Sequence, residues 1–411
     1  MNNPINPKDR KDLLDALSWA AGKQIPLEIA CNGSKRTFGR PIQSAVSLNT
    51  NSFKGITEYE PSELVLTSGV ATPISEVEAV LDSSNQMLSF EPIDLGPLLR
   101  MPSSQGTLIG ALSCNLSGPR RIKAGAARDH FLGFEGVSGR GEFFKAGGKV
   151  VKNVTGYDLC KLLCGSFGTL GVLTSVSLKV LPAPEKIRTL VIYGLDEMQA
   201  IEAFSKALSS PNEPSGATWI PSYLSSKSKI DRINEAGESV TAIRIEGVKV
   251  SVEARLDDLE VRLKSFGEMD QLHSNNSKYF WKEVRDVRPL AHYRNDESIW
   301  RLSVPPYSGG NIAKFIKNEM GAETIIDWGG ALIWAKVNMD IKNSVTISEK
   351  IHKAAKDEGG HATCISASVE NRGIIEVFPI LSSAEYGLMK RIKEGFDPMG
   401  ILNPGRMYLG L

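Results

Sequence analysis

Cysteine and histidine are scarce in this chain of 411 residues, five of each. An odd, scattered set of cysteines excludes a disulfide framework and suits reduced thiols. Cys160 and Cys164 stand four apart on an expected helix, but no further Cys or His lies nearby to complete a metal site, so they read as buried packing. A surplus of either charge is also missing: 48 Lys+Arg against 47 Asp+Glu leave a net charge of +1. That balance gives no electrostatic footprint for nucleic acid or for an anionic membrane surface. No apolar run approaches the roughly 20 residues needed to span a bilayer. The opening MNNPINPKDRKDLLDAL is polar and mixed in charge, unlike a signal peptide. An intracellular protein is therefore expected, and the Asn-x-Ser/Thr matches at Asn115, Asn153 and Asn275 carry no meaning. Two nucleotide motifs are absent as well. Gly33-Ser34-Lys35 lacks the preceding glycine of a phosphate-binding P-loop, and no G-x-G-x-x-G follows a strand into a helix.

Hydrophobic patterning is present throughout, and the length suits two or three domains. Asn6–Pro7 reads as the cap and first turn of a helix with Leu13, Leu14, Leu17 and Trp19 on one face. Residues 25–30 and ELVLTSGV (63–70) read as strands. Thr72–Pro73 opens a helix carrying Ile74, Val77, Val80 and Leu81. Residues 89–156, rich in Gly, Ser, Pro and Arg, read as a long irregular stretch, which a compact domain tolerates as a ligand-binding surface. Val176, Leu178 and Val180 alternate with polar neighbours, the signature of a half-buried strand. The prolines of LPAPEK (181–186) mark a boundary. Beyond it, strands (TLVIYGL, TAIRIEGV, SIWRLSVPP, ALIWAKV) alternate with amphipathic helices near 196–208, 251–265, 310–319 and 343–357. This is an α+β layout whose repeated order hints at a duplicated unit.

Glycine is plentiful, 38 in all, and clusters in three loops: CNGSKRTFG (31–39), GTLIGALSCNLSGPRR (106–121) and GSFGTLG (165–171). The last sits in GYDLCKLLCGSFGTLGVL, where Gly165, Gly168 and Gly171 separate a helix from a strand. Each glycine serves either a tight turn or a close approach of the backbone to a ligand. Three such loops in one domain point to a phosphate-bearing ligand, because a diphosphate needs several convergent backbone N–H donors at short range.

The segment from Gly106 to Glu185, with the GSK loop, the 59–92 stretch, GGHAT (359–363) and NPGRMY (403–408), resembles the FAD-binding flavoproteins of the vanillyl-alcohol oxidase/p-cresol methylhydroxylase family. Within it the chain is most similar to the FAD-binding subunits, or E subunits, of bacterial D–E–F glycolate oxidases. The resemblance implies a two-subdomain FAD-binding domain (1–183), an α+β cap domain with ferredoxin-like layout (184–382), and a helix and tail (383–411) returning to the flavin domain. It implies that Asn32, Gly33, Ser34 and Lys35 wrap the FAD diphosphate with backbone amides. Thr107, Gly110, Asn115, Ser117 and Gly118 would run beside the diphosphate and ribityl chain, and Pro92 and Asn403 would lie near the isoalloxazine. Val172 would back the adenine, with Gly165, Ser166, Gly168 and Gly171 shaping its approach. The first loop holds Asn32–Gly33 where some members carry a flavin-linking histidine, so FAD would be non-covalent. Ala111 stands where a second glycine is usual, and a methyl there would crowd the cofactor.

Catalytic relatives carry a metal-binding H-x-G-D-G-N-x-H segment. Here His130, His273, His292, His352 and His361 are isolated, and His361 reads as solvent-facing or backbone-bonded. Arg285, Arg288, His292 and Arg294 could face a carboxylate, but they also read as a charged helix and turn. No metal site and no particular catalytic residue is therefore assigned. The resemblance implies a flavin-carrying subunit of an oxidase for a small 2-hydroxy acid. A larger FAD-containing sister subunit would hold the metal and the substrate, and an iron–sulfur subunit would take the electrons, since Cys₄ runs are missing. It would be cytoplasmic, reaching the inner membrane only through partner subunits. Two alternatives stand beside it: a stand-alone FAD-dependent D-lactate or glycolate dehydrogenase, and a scaffold subunit that has lost flavin, which Ala111 and the thin first loop favour.

Overall fold

The structure is a computed structural model that describes residues 4–42, 44, 46–148 and 156–411; residues 149–155 of the family-like segment lie outside it. The first helix, Arg10–Lys23, begins at Asp9, whose carboxylate accepts from Asp12 N at 2.9 Å. Asp9, not the Asn6–Pro7 pair, is the cap, because its side chain pairs an otherwise orphaned helix N–H. Leu13, Leu17 and Ala20 are buried, whereas Trp19 is 44 % exposed. At 100° per residue Trp19 falls on the far side from those three.

The chain forms two units, one of residues 1–117, 126–182 and 380–411, the other of 118–125 and 183–379. In the first, five antiparallel strands run in the order Ile56–Glu60, Val65–Gly69, Gly171–Lys179, Phe131–Ser138, Phe143–Gly147. Val176 and Leu178 alternate into a core with Leu66, Val77, Leu81 and Phe90. Cys160 and Cys164 are free thiols in that core, and burial pushes both up to about 12. Two of these strands lie inside the stretch 89–156 that reads as irregular. Gly133 and Gly136 disguise the first, and the pairing register shifts beside each of them. A side chain at Gly136 would meet Val172 O at 2.8 Å, so the glycine permits close strand approach rather than ending the strand. A parallel pair, Leu27–Ala30 with Val46–Asn49, packs with the first helix through Leu13, Leu17, Leu27 and Leu48.

The second unit is built on one sheet of eight strands. Its first half contains Lys186–Tyr193, Gly216–Ile220, Val240–Gly247 and Met269–His273, with helices Glu197–Leu208 and Lys249–Leu263 after the first and third strands. The second half repeats the plan with Glu297–Ser303, Glu323–Asp327, Leu332–Asn338 and His361–Ser366, and helices Gly309–Met320 and Ser344–Asp357. In each half the strands lie in the order fourth, first, third, second, the ferredoxin-like βαββαβ arrangement. The halves join edge to edge where Trp219 pairs with Ile326. The duplication is thus one of topology. Four of these strands, GATWI, MDQLH, ETIID and HATCIS, have no expected counterpart, since each is short and without clean alternation: three are almost wholly buried, and MDQLH buries only Leu272.

The last helix, Ser383–Phe396, and the tail belong to the first unit. Lys393 anchors them: its buried ammonium donates to Thr169 O (2.8 Å), Leu402 O (2.8 Å) and Asp397 Oδ2 (2.7 Å). Asp397 is completely buried and also accepts from Ile401 N and Leu402 N. Lys393→Met would strand the Asp397 carboxylate, so urea denaturation is expected to show a loss of about 3–5 kcal/mol, the usual cost of halving a buried ion pair. An unchanged midpoint would show that the tail is held by other contacts.

Candidate functional site

Strand Leu27–Ala30 leads directly into the first glycine loop. Gly33, at φ +70°, turns the chain so that Arg36 N donates to Gly33 O (3.0 Å) and Phe38 N to Lys35 O (3.1 Å). The N–H groups of Gly33, Ser34 and Lys35 donate to no described residue. Three successive amides without partners, on the wall of a cleft, make a ready anion nest.

The second loop forms the short helix Leu108–Ser113, which buries Leu108, Ala111 and Leu112 and leaves Gly110 on the cleft. Its leading N–H groups are committed: Leu108 N donates to Thr72 O and Ile109 N to Val70 O. Ala111 is 2 % exposed and does not line the cleft. Its methyl points into the core, so the crowding expected of it does not arise. A side chain at Gly110 would stand 3.3 Å from Lys35 Nζ, which occupies that space. Lys35 Nζ has no hydrogen bond or ion pair with a described residue. Burial holds this ammonium below the ordinary lysine range, with Cys114, Asp94 and Cys31 opposing the shift. Burial likewise raises the Cys31 thiol and pushes Cys114 up to about 11, so both stay neutral.

The third loop is zipped to the second by Gly165 N to Leu112 O (3.0 Å) and Phe167 N to Ser113 O (2.9 Å). The C-terminal tail clamps it from the other side. Asn403, at φ +42°, accepts from Ile29 N through Oδ1 (2.7 Å) and donates through Nδ2 to Phe167 O (2.7 Å). One amide thereby fixes the exit of the first strand against the glycine turn. Each glycine of this loop has a reason within the protein. Gly165 and Gly168 take φ values of +90° and +70°, and a side chain at Gly171 would meet the Phe144 ring at 3.1 Å.

These parts enclose a cleft of about 930 Å³, open mouth included. Of the residues singled out from sequence, Asn32, Gly33, Ser34, Lys35, Thr107, Gly110, Ser166, Gly168, Gly171, Val172 and Asn403 line it together. Pro92, Asn115, Ser117, Gly118 and Gly165 do not. Asn115 Oδ1 accepts from Arg128 N (3.4 Å), Ser117 Oγ from Ala127 N (2.9 Å), and Gly118 belongs to the other unit. Sequence reasoning missed Cys31, Cys114, Phe167 and Arg406 on the cleft wall. Arg406 donates to Lys35 O at 2.8 Å and follows Asn403 closely enough in NPGRMY to have been found. No histidine lines the cleft. In the second unit, the candidate carboxylate binders Arg285 and Arg288 are both held by buried Asp286, and Arg294 pairs with Asp296 at 3.1 Å.

The donor set fits a diphosphate: unused amides, a cation without a counter-ion, and glycine where a side chain would collide with that cation. Comparison with known proteins defines the class. Residues 4–147 match the family described as FAD binding domain, and residues 381–407 match FAD linked oxidases, C-terminal domain. The folds of p-cresol methylhydroxylase (TM-score 0.73, 13 % identity, 98 % of this chain and 88 % of that one) and of 4-ethylphenol oxidase from Gulosibacter chungangensis (TM-score 0.71, 13 % identity, the same coverage) are similar. This is an FAD-linked oxidoreductase whose fold is that of p-cresol methylhydroxylase. With 34 % identity over 97 % of both chains to the glycolate oxidase subunit GlcE of Escherichia coli (strain K12), it belongs to the GlcE family. It is also 25 % identical to the glycolate oxidase subunit GlcD of Bacillus subtilis (strain 168), over 98 % of this chain and 88 % of that one.

Asn403→Ala would take the bond from Ile29 N and the one to Phe167 O, at about 1–3 kcal/mol for a buried group left unpaired. A lower melting temperature, with protease cleavage first at the tail, is expected. Cleavage kinetics matching the parent would show that the amide does not hold the cleft together.

Proposed function

We propose that this chain is the FAD-binding subunit of a glycolate oxidase, oxidising glycolate to glyoxylate together with partner subunits. The observation that carries this reading is a GlcE-like chain, matched end to end, whose glycine loops leave an anion nest beside a cation without a counter-ion. Gly33, Ser34 and Lys35 would hold the FAD diphosphate through their N–H groups, with the Lys35 ammonium balancing its charge. Ser166, Gly168 and Val172 would border the adenosine end, and Asn403 would fix the wall between the loops. When bound, FAD supplies a hydride acceptor and an outlet for one or two electrons. The chain's own part is to bind and orient that group and to keep Cys31 and Cys114 neutral beside it. Pro92, Asn115, Ser117 and Gly165 would support these loops from outside the cleft. The partners would be a larger FAD-containing sister subunit carrying the metal-binding segment and an iron–sulfur subunit that accepts the electrons, with any membrane attachment made through them. Among the described residues, no helix is long and apolar enough to cross a membrane.

The absorption spectrum of the purified chain tests this directly. A yellow protein that glycolate bleaches anaerobically only after the sister subunit is added is expected. Bleaching of the isolated chain would favour a stand-alone dehydrogenase, and a chain left colourless after soaking with FAD would exclude a flavin role.

Lys35 gives a second test, because its two effects have opposite signs. Its depressed pKa means that the unfolded chain holds the proton more tightly. The resulting penalty on the flavin-free fold is in force at neutral pH and disappears above the ordinary lysine pKa of about 10.4. Lys35→Met should therefore stabilise the flavin-free protein at pH 7 while weakening FAD binding at least tenfold by equilibrium dialysis. Equal FAD affinity in the variant would remove the ammonium from the site.

A further inference from the structure

The second unit contains another cation without a counter-ion. Arg301 lies in the middle of strand Glu297–Ser303, opposite Trp334 on one side and Thr363 on the other. Its Nε is fully buried without a hydrogen-bond partner, and its guanidinium makes no ion pair with a described residue. What it does contact is the indole of Trp328, 4.9 Å from the ring centre. The Arg121 guanidinium lies over the same ring, at 4.4 Å. Both supports are rigid. Trp328 Nε1 donates to Gly118 O (3.0 Å), and Arg120 grips buried Glu246 through two bonds, Nε–Oε1 at 2.7 Å and Nη2–Oε2 at 3.0 Å. Those contacts hold the segment carrying Arg121 in place.

His361 completes the group. It pairs with Ser303, two residues along from Arg301 on the same face of the sheet. It is solvent-reachable, and partial burial together with the Arg301 and Arg121 charges keeps its imidazole neutral. Burial, reinforced by the Arg121 charge, lowers the Arg301 guanidinium to about 10. The nearby acid is Asp327, whose Oδ1 accepts from Trp328 N at 2.7 Å, and it stands outside ion-pair distance of Arg301. Two guanidiniums on one indole repel each other, and Asp327 only partly offsets this at Arg301, so an anion reaching the Arg301 guanidinium would stabilise it.

We propose that Arg301, Arg121 and Trp328 form a binding site for a small carboxylate, with Thr363 and His361 placed to meet a hydroxyl or carbonyl next to that carboxylate. A guanidinium matches a carboxylate with paired N–H groups, and the indole excludes water from one side. The recessed Nε favours a small ligand over the flat surface of a partner protein. The proposal deepens the glycolate reading by placing carboxylate recognition on this chain, where the sequence assigned substrate to the sister subunit.

Isothermal titration of the full chain with oxalate, an anion that cannot be oxidised as a 2-hydroxy acid, tests it independently of turnover. Saturable binding at one site is expected, with glycolate competing and chloride not. Arg301→Met should weaken oxalate roughly ten- to a hundredfold, the loss of charged hydrogen bonds, while melting no lower than the parent, because it removes a buried cation that lacks a partner. Arg121→Met should weaken it less. If Arg301→Met fails to fold, Arg301→Lys and Arg121→Met carry the test. Oxalate affinity unchanged in these variants, absence of oxalate binding by the parent, or equal competition by chloride would each overturn the proposal. A yellow chain that ignores oxalate would fail this inference and leave the flavin reading standing. A colourless chain that binds oxalate would do the reverse.

Discussion

The cleft in the first unit depends on a single side-chain amide. Asn403 reaches from the C-terminal tail to Ile29 N with its oxygen and to Phe167 O with its nitrogen, two bonds of 2.7 Å. Without it, the exit of a strand near the start of the chain and a glycine turn in its middle would lose the bonds that tie them together. Behind the amide, the Lys393 ammonium collects two carbonyls and the Asp397 carboxylate, which in turn holds the backbone of Ile401 and Leu402. The tail is therefore part of the cleft wall, although it follows the first glycine loop by more than 350 residues. Polar groups this deeply buried are costly unless fully paired, and here nearly every valence is used.

Against that background of satisfied polar groups, the exceptions mark function. Lys35 in one unit and Arg301 in the other are half-buried cations without a neighbouring carboxylate in ion-pair distance. Elsewhere the same chain pairs such groups carefully: Arg120 with Glu246, Arg285 with Asp286, Lys336 with Glu323. The three unused amides beside Lys35 extend the pattern to the backbone. In a fold that pairs its buried charges so consistently, these few are where the proposed ligands would bring the missing negative charge.

Much of the fold was legible because hydrophobic periodicity survives in it. The alternation of Val176, Leu178 and Val180, the face of Ile74, Val77 and Leu81, and the cap-domain helices all lie where the pattern puts them. Strand Phe131–Ser138 was hidden because its glycines serve close packing and bulges, and a glycine carries no hydrophobic signal. That the first glycine loop bends sharply was legible from its composition; that its Gly33, Ser34 and Lys35 amides have no described partner was not. Nor were the roles of its neighbours. Gly165 and Gly168 answer to left-handed backbone and Gly171 to the Phe144 ring, and whether a glycine faces a ligand or a phenyl ring depends on what lies across from it.

The sequence by itself determined much of the local content: most of the helices, the strands with clear periodicity, the gathering of glycine in three loops, and the family of FAD-linked oxidases. Tertiary structure decided which groups meet. It turned Ala111 into the core, gave Arg285 and Arg288 to Asp286, brought Arg406 to Lys35, and set Arg301 and Arg121 over one indole. The physical reason is that propensity and periodicity act over a few neighbouring residues, whereas the pairing of a buried charge depends on residues hundreds of positions apart.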